Sequence, residues 1–155
     1  MTTFWVEISA LDHGHGGPGW ELGRCLWSPA TDRVGNDRYR IMREPAAGDT
    51  VCHLIRRNDG RVLAGKSIVA GAAAIRNDAP PTPGVWANFQ GYYRIPLTDF
   101  VPFDPAPSID SIEASNADEI RADIFPLRPE HHPYVTYGPG FALRRECTLA
   151  SSPIV

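Results

Sequence analysis

A small, curved, mostly β barrel of the α+β class, with short flanking helices, is the fold this sequence predicts. Three observations predict it. Short β-prone runs recur along the chain, several with strict alternation. Gly, Pro and Asn-Asp-Gly turn signals separate them. The clearest helical stripe is a single stretch, late in the chain. The chain has 155 residues, the size of one domain, long enough to bury a core without staples. We expect one domain over residues 1–150 and a tail, or the start of a linker, over 151–155.

The elements follow in order. Phe4-Trp-Val-Glu-Ile-Ser9 reads as a first strand, with Phe4, Val6 and Ile8 on one face and Trp5, Glu7 and Ser9 on the other. Residues 10–24 are a long glycine-rich loop of the kind that carries function. Cys25-Leu-Trp-Ser-Pro29 follows it, and residues 30–37 are loop. Arg38–Arg43 predicts a helical turn with Tyr39 and Met42 toward the core. Thr50–Ile55 is a strong strand, entered by a Pro-Ala-Ala-Gly-Asp turn. Asn58-Asp-Gly60 then turns into its partner over 61–70, where Gly65 and Ser67 predict a bulge or a close backbone approach.

The proline-rich loop Asp78–Gly84 delivers Val85-Trp-Ala-Asn-Phe-Gln-Gly91. Tyr92–Leu97 is the next strand, with one of Tyr92 and Tyr93 in the core and Pro96 at its edge or end. Residues 102–107 are irregular. The helix runs from Asn116 to about Ile124, with Ser115 as N-cap, Asp118 three residues on, and Ala117, Ile120 and Ile124 as its stripe. His131–Tyr134 is loop, and Phe141–Leu149 is a closing strand.

Charge and composition narrow the function. The net charge of −3 argues against nonspecific nucleic-acid binding. The cations are fourteen Arg and one Lys, however, and Arg suits bidentate phosphate contacts. Arg33, Arg38 and Arg40 are the phosphate-contact candidates; a bias in genomic base composition explains the same excess. Cys25, Cys52 and Cys147 are odd in number and widely spaced, which is neither a disulfide framework nor a zinc pattern. His13-x-His15 lacks a third ligand at a recognisable spacing, so we assign no metal and no cofactor. No apolar run approaches the roughly 20 residues of a spanning helix. The first residues have neither a basic region nor an apolar leader core, and a cytoplasmic location is expected.

The most suggestive stretch is His13-Gly-His-Gly-Gly-Pro-Gly-Trp20 followed by Cys25-Leu-Trp-Ser-Pro29. Two indoles, Trp20 and Trp27, stand among turn-forming residues, a placement suited to stacking on a flat ligand. Trp86 and Phe89 supply a second wall. The structural alternative is that these rings are core.

At these segments the chain resembles the EVE and YTH branch of the PUA-like fold, over roughly residues 4–113. The resemblance lies in the order of its parts. After the Phe4–Ser9 strand come Leu26-Trp-Ser28, Met42-x5-Gly-Asp-x-Val51 and Gly65-Lys-Ser-Ile-Val69. Gly84-Val-Trp-x-x-Phe-x-Gly91 and the aromatic strand Tyr92-Tyr-Arg-Ile95 close the series. The glycine-rich insert looks closer to bacterial EVE-like domains, which often stand at the N-terminus of modification-dependent restriction proteins, ahead of nuclease modules.

The resemblance implies a small PUA-like barrel that reads a modified base in DNA, with 5-methylcytosine or a related modified cytosine foremost. It implies no catalysis by this domain and a nuclease partner, of HNH type, in the same or another chain. Trp27 matches the first cage tryptophan, with Ser28 beside it, and Trp86 the second. Phe89 falls near a third aromatic, at a shorter spacing to Gly91. Ser9 and Asp12 fall where relatives contact the base edge.

The energetics are compatible with such a reader. Extruding a base costs a few kcal/mol, and stacking on aromatics returns about 1–3 kcal/mol per base. A buried 5-methyl group adds about 0.8 kcal/mol, only several-fold in affinity. Stronger selectivity needs polar groups that reject the wrong base edge. Asp12 or a backbone carbonyl would accept from a cytosine amino group, and Ser9 and Ser28 would donate. Two other functions compete. One is a YTH-like reader of N6-methyladenosine in RNA, against which the absence of a prominently basic surface counts. The other is a small hydrolase using Asp12, His13, His15 or the His131/His132 pair, which no nucleophile elbow, metal-binding helix or paired-carboxylate motif supports.

Overall fold

Alternating strands with two apolar faces must cover both, and a sheet that curls upon itself covers one of them. The computed structural model describes residues 3–10, 16–127, 134–143 and 147–152. Among these described residues nine strands run in order: β1 (Phe4–Ala10), β2 (Cys25–Pro29), β3 (Thr50–Arg57), β4 (Gly60–Val69), β5 (Ala74–Arg76), β6 (Tyr92–Pro102), β7 (Tyr134–Tyr137), β8 (Gly140–Leu143) and β9 (Cys147–Ser152). Among the described residues between β6 and β7 lie two short helices, α1 (Ile109–Ser115) and α2 (Ala117–Ile124).

The main sheet has the order β2-β6-β4-β3-β1-β9, with β5 added on β6, and β7-β8 form a separate hairpin. Its pairs are antiparallel except β1 with β3, which the long crossover through β2 makes parallel. β2 and β9, the two ends of this order, approach each other, so the sheet curls into a half-barrel. This is the expected architecture: mostly β and curved, with short flanking helices.

Alternation decides which residues enter the core. Trp5, Leu26, Met42, Val51, Val69, Tyr93, Ile95 and Leu97 form one buried cluster, with Tyr39 packed against it. Ile8 and Leu54, on the opposite face of their strands, pack with Ile109 of α1, and Val6 joins them. Each such aliphatic side chain contributes on the order of 1.5–3 kcal/mol on burial. The 3-10 turn Arg40–Arg43 delivers Met42 inward as expected.

Two buried polar side chains, Asp49 and His53, are matched by partners. Asp49 accepts from Trp5 Nε1 at 2.9 Å, Ala46 N at 2.9 Å and Thr3 N at 3.0 Å, tying β1 to the turn before β3. His53 has no exposed surface; Glu7 faces its Nδ1 at 2.5 Å and Ser67 its Nε2 at 2.7 Å. The Phe100 ring lies edge-on to His53, 5.6 Å away.

The bulge expected in β4 is present, with register shifts on both of its flanks. A Cβ on Gly65 would stand 2.5 Å from the Val101 carbonyl oxygen and 2.8 Å from the Phe100 ring. The close backbone approach is therefore real as well.

Several expectations are corrected. Pro96 lies inside β6, which runs on past the expected end at Leu97 to Pro102, the first of the residues expected to be irregular. It sits where the strand changes neighbour, from β2 to β4, and a missing donor is tolerated there. α1 was not expected, and Ser115 ends it rather than capping α2. Asn116 is the junction, and its Nδ2 donates back to the Ile112 carbonyl at 2.9 Å. Tyr134, expected in loop, opens β7. The single closing strand is two strands, β8 and β9. Ser151 and Ser152, expected in a tail, pair with Trp5 and Phe4.

Candidate functional site

Pairing on β2 and β6 decides which side chains face outward from the core. Leu26 opposes Ile95 and Ser28 opposes Tyr93, on the core side. Trp27 opposes Arg94 and Pro29 opposes Tyr92, on the other. That second face holds a separate cluster of Trp20, Cys25 and Tyr92, with half-buried Trp27 and Phe89 packed against it. Trp27 lies 6.3 Å from Trp20, edge-on, and 6.3 Å from Tyr92. Trp86 lies 6.2 Å from Phe89, and Tyr39 meets Trp86 edge-on at 6.1 Å.

Tyr92 joins these pairs. Its ring packs on Trp27, its hydroxyl donates to the Trp86 carbonyl at 2.8 Å, and the same oxygen accepts from Phe89 N at 3.3 Å. The short 3-10 turn Gly84–Trp86 and Asn88, at φ 64°, shape the backbone that presents Trp86 and Phe89. The glycine-rich and proline-rich loops meet beside this cluster, where Thr82 N donates to the Gly16 carbonyl at 2.8 Å. Gly16 has φ 70°, and a Cβ there would come within 2.5 Å of Trp20 Cβ and 2.9 Å of Trp27 Nε1. Glycine at 16 is what lets this loop close on the indoles.

The remaining expected residues fall as follows. Trp20 is buried, so it supports Trp27 from beneath rather than forming a rim. Ser28 is also buried, and its hydroxyl donates to the Pro29 carbonyl at 3.1 Å, which leaves it poorly placed to read a base. Ser9 Oγ is enclosed and has no hydrogen-bond partner among the described residues. Asp12 lies outside the described residues, as do His13, His15, His131 and His132. Arg33, Arg38 and Arg40 are exposed, and the Arg33 guanidinium stands 5.9 Å from the Phe89 ring centre.

Two residues of this face were not singled out from sequence. Arg94 stacks 5.1 Å over Trp20 and donates to the Gly19 carbonyl at 2.8 Å, holding the glycine-rich loop. Tyr92 was expected only as one of two tyrosines, one of them core; both are buried. Their signal was the strand alternation, which sets Tyr92 and Arg94 on the side opposite Tyr93 and Ile95.

Cys25 lies under this cluster. Burial pushes its thiol up to about 11, against the pull of the neighbouring Arg94, so it is a neutral packing group at neutral pH. Among the described residues no group of three His, Cys, Asp or Glu side chains is placed to hold a metal ion. Glu7, His53 and Ser67 have the hydrogen-bond order of a nucleophilic triad. Ser67 and His53 are sealed in the core, so this is a satisfied polar network within the fold.

The molecule is thus a curled, mostly β half-barrel with a partly exposed aromatic cluster on one face and arginines around it. No family model and no curated protein matches the chain. Among solved structures it is similar to the N-terminal domain of Staphylothermus marinus McrB, at 14% identity and a TM-score of 0.47, covering 82% of this chain and 89% of that one. At this level of likeness no residue role passes from one chain to the other. Among the described residues no helix is long and apolar enough to cross a membrane.

Proposed function

We propose that the chain is a reader of a modified base in DNA, most specifically a 5-methylcytosine or related modified cytosine in a duplex. The base is flipped out to stack between Trp27 on one side and Trp86 with Phe89 on the other. The observation that carries this reading is Tyr92. One side chain packs on Trp27 and holds the backbone of Trp86 and Phe89 through its hydroxyl. Trp27, Trp86 and Phe89, organised by one buried post, are only half-buried and keep part of their surface open, whereas core aromatics bury theirs.

Stacking supplies affinity, and the polar edge supplies selectivity. Ser9 and Asp12, which fall where relatives contact the base edge, are our assignments for that edge by the family resemblance. Arg33, Arg38 and Arg40 take the flanking phosphates. The domain itself, which includes β9 through Ser152, does no chemistry in this reading. It directs a nuclease module, of HNH type by the family resemblance, in the same or a partner chain in the cytoplasm.

The test is a gel shift at moderate salt. The probes are one duplex carrying cytosine, 5-methylcytosine, 5-hydroxymethylcytosine or N6-methyladenine, and a matched RNA strand with N6-methyladenosine. Trp27→Ala and Trp86→Ala run alongside, with circular dichroism to verify folding. Selective retention of a modified-cytosine duplex, reduced about ten-fold or more in each folded variant, is expected from the loss of one stacking wall. Preference for the RNA strand would make the chain an RNA reader instead. Equal, negligible retention of every probe would overturn a nucleic-acid role.

A further inference from the structure

The loop that carries Arg33 has a feature that core packing does not explain. Val34 is 81% exposed, the most exposed of the large apolar side chains described. It is not on a loose loop. The Asp32 carboxylate accepts from Val34 N at 3.0 Å, Asn36 N at 2.8 Å and Asn36 Nδ2 at 3.1 Å. The backbone closes the same turn: Asp32 N donates to the Asn36 carbonyl at 2.9 Å, and Gly35 N to the Asp32 carbonyl at 3.1 Å. Gly35 takes φ 87°, where a side chain is strained. A tip with this many bonds is ordered before any ligand arrives, and it holds a branched apolar side chain out in water.

The position of the tip gives that cost a purpose. Arg33, immediately before Val34, lies over the Phe89 ring that we assign to the base pocket. Whatever base enters that pocket leaves a gap in the duplex close to this loop. The unstacked neighbours of such a gap expose apolar faces, and an inserted apolar side chain restores their cover. Valine is compact and stiff at χ1, so it loses little freedom on insertion.

We propose that Val34 is the wedge that enters the base stack of the duplex when the modified base is extruded, with Arg33 guiding the strand beside it. This inference rests on the reader function proposed above. It assigns to Val34 the selectivity for paired over already unpaired substrates. The turn built by Asp32 sets the wedge in advance, so the flip is coupled to a preformed tip rather than to the ordering of a loop.

The experiment separates extrusion from recognition. The affinities of the wild-type chain, Val34→Gly and Val34→Leu are measured on two probes with the same modified base. In one it is fully paired; in the other it stands opposite an abasic site, where little pairing opposes the flip. A 2-aminopurine beside the target reports local unstacking. The expected result is that Val34→Gly loses about ten-fold or more on the paired probe, with its fluorescence rise, and less than about two-fold on the abasic one. Val34→Leu should retain both. Unchanged binding of the paired probe by Val34→Gly would overturn the wedge while leaving the reader intact. Equal losses on both probes would overturn it too, making Val34 an ordinary contact or a folding residue. If the wild-type chain retains neither probe, the reader function itself fails and the wedge with it.

Discussion

Asp49 shows how one residue can fasten a fold. Burial opposes its ionisation, but hydrogen bonds from Ala46 N, Trp5 Nε1 and Thr3 N outweigh that and hold its carboxyl below the ordinary carboxylate value. A carboxyl depressed on folding contributes stability above its unfolded value, about 3.9, and loses it as pH falls through the folded value. Asp49→Ala leaves the Trp5 and Ala46 donors unpaired, at a cost of about 1–3 kcal/mol. Urea midpoints of wild type and Asp49→Ala should therefore differ by a constant amount from pH 7 to about pH 5 and converge toward pH 3. A gap independent of pH down to 3 would show that the charge of Asp49 is not what holds β1. Some of this scale is legible in sequence. Trp5 shares a face of its strand with Glu7 and Ser9 as read, but whether a tryptophan is core or surface depends on what covers it. Trp20 becomes core because Arg94 and Trp27 pack upon it, and neither contact has a short-range signature.

The elements were read best where turn chemistry and alternation agree, as in the β3–β4 hairpin with its Asn58-Asp-Gly60 turn. They were read worst where tertiary context overrides a local rule. Pro96 reads as a strand end because proline removes a donor, yet the change of neighbour at that point lets β6 run on. α1 has only Ile109 and Ile112 facing the sheet, too thin a stripe to see in seven residues. The β4 bulge was visible through Gly65, and its strictness can be measured. Gly65→Ala places a methyl 2.5 Å from the Val101 carbonyl oxygen, and backbone on both sides must shift. Overpacking of this kind costs about 1–3 kcal/mol. Gly71→Ala meets only Pro96 Cγ, at 3.4 Å, and should change stability by less than about 0.5 kcal/mol. Thermal melts of the pair decide the matter: equal midpoints would mean that β4 and β6 can separate at the bulge without cost.

On the scale of the whole molecule, charge poses the sharper question. The chain carries a net charge of −3, yet the reader function needs it to approach a polyanion. A basic patch on an acidic body would reconcile the two: exposed Arg33, Arg38 and Arg40 all belong to the stretch from the end of β2 to the first residue of the Arg40–Arg43 turn, and Arg33 reaches the aromatic cluster. In the proposed reader the acidic remainder would repel DNA that the pocket does not engage, so weak affinity for unmodified sites is expected. This makes a quantitative prediction. The logarithm of affinity falls with the logarithm of salt concentration by about 0.9 for each phosphate neutralised. In the proposed reader only these few arginines would meet phosphates, so the slope for the modified duplex should be shallow, and Arg38→Ala and Arg40→Ala should each reduce it by about 1. Neither substitution should alter the ratio of modified to unmodified binding, because phosphate contacts position and base contacts specify. Titrations at four salt concentrations would measure both quantities. A slope unchanged in both variants would place the DNA backbone elsewhere on the surface; a changed ratio would put one of these arginines at the base.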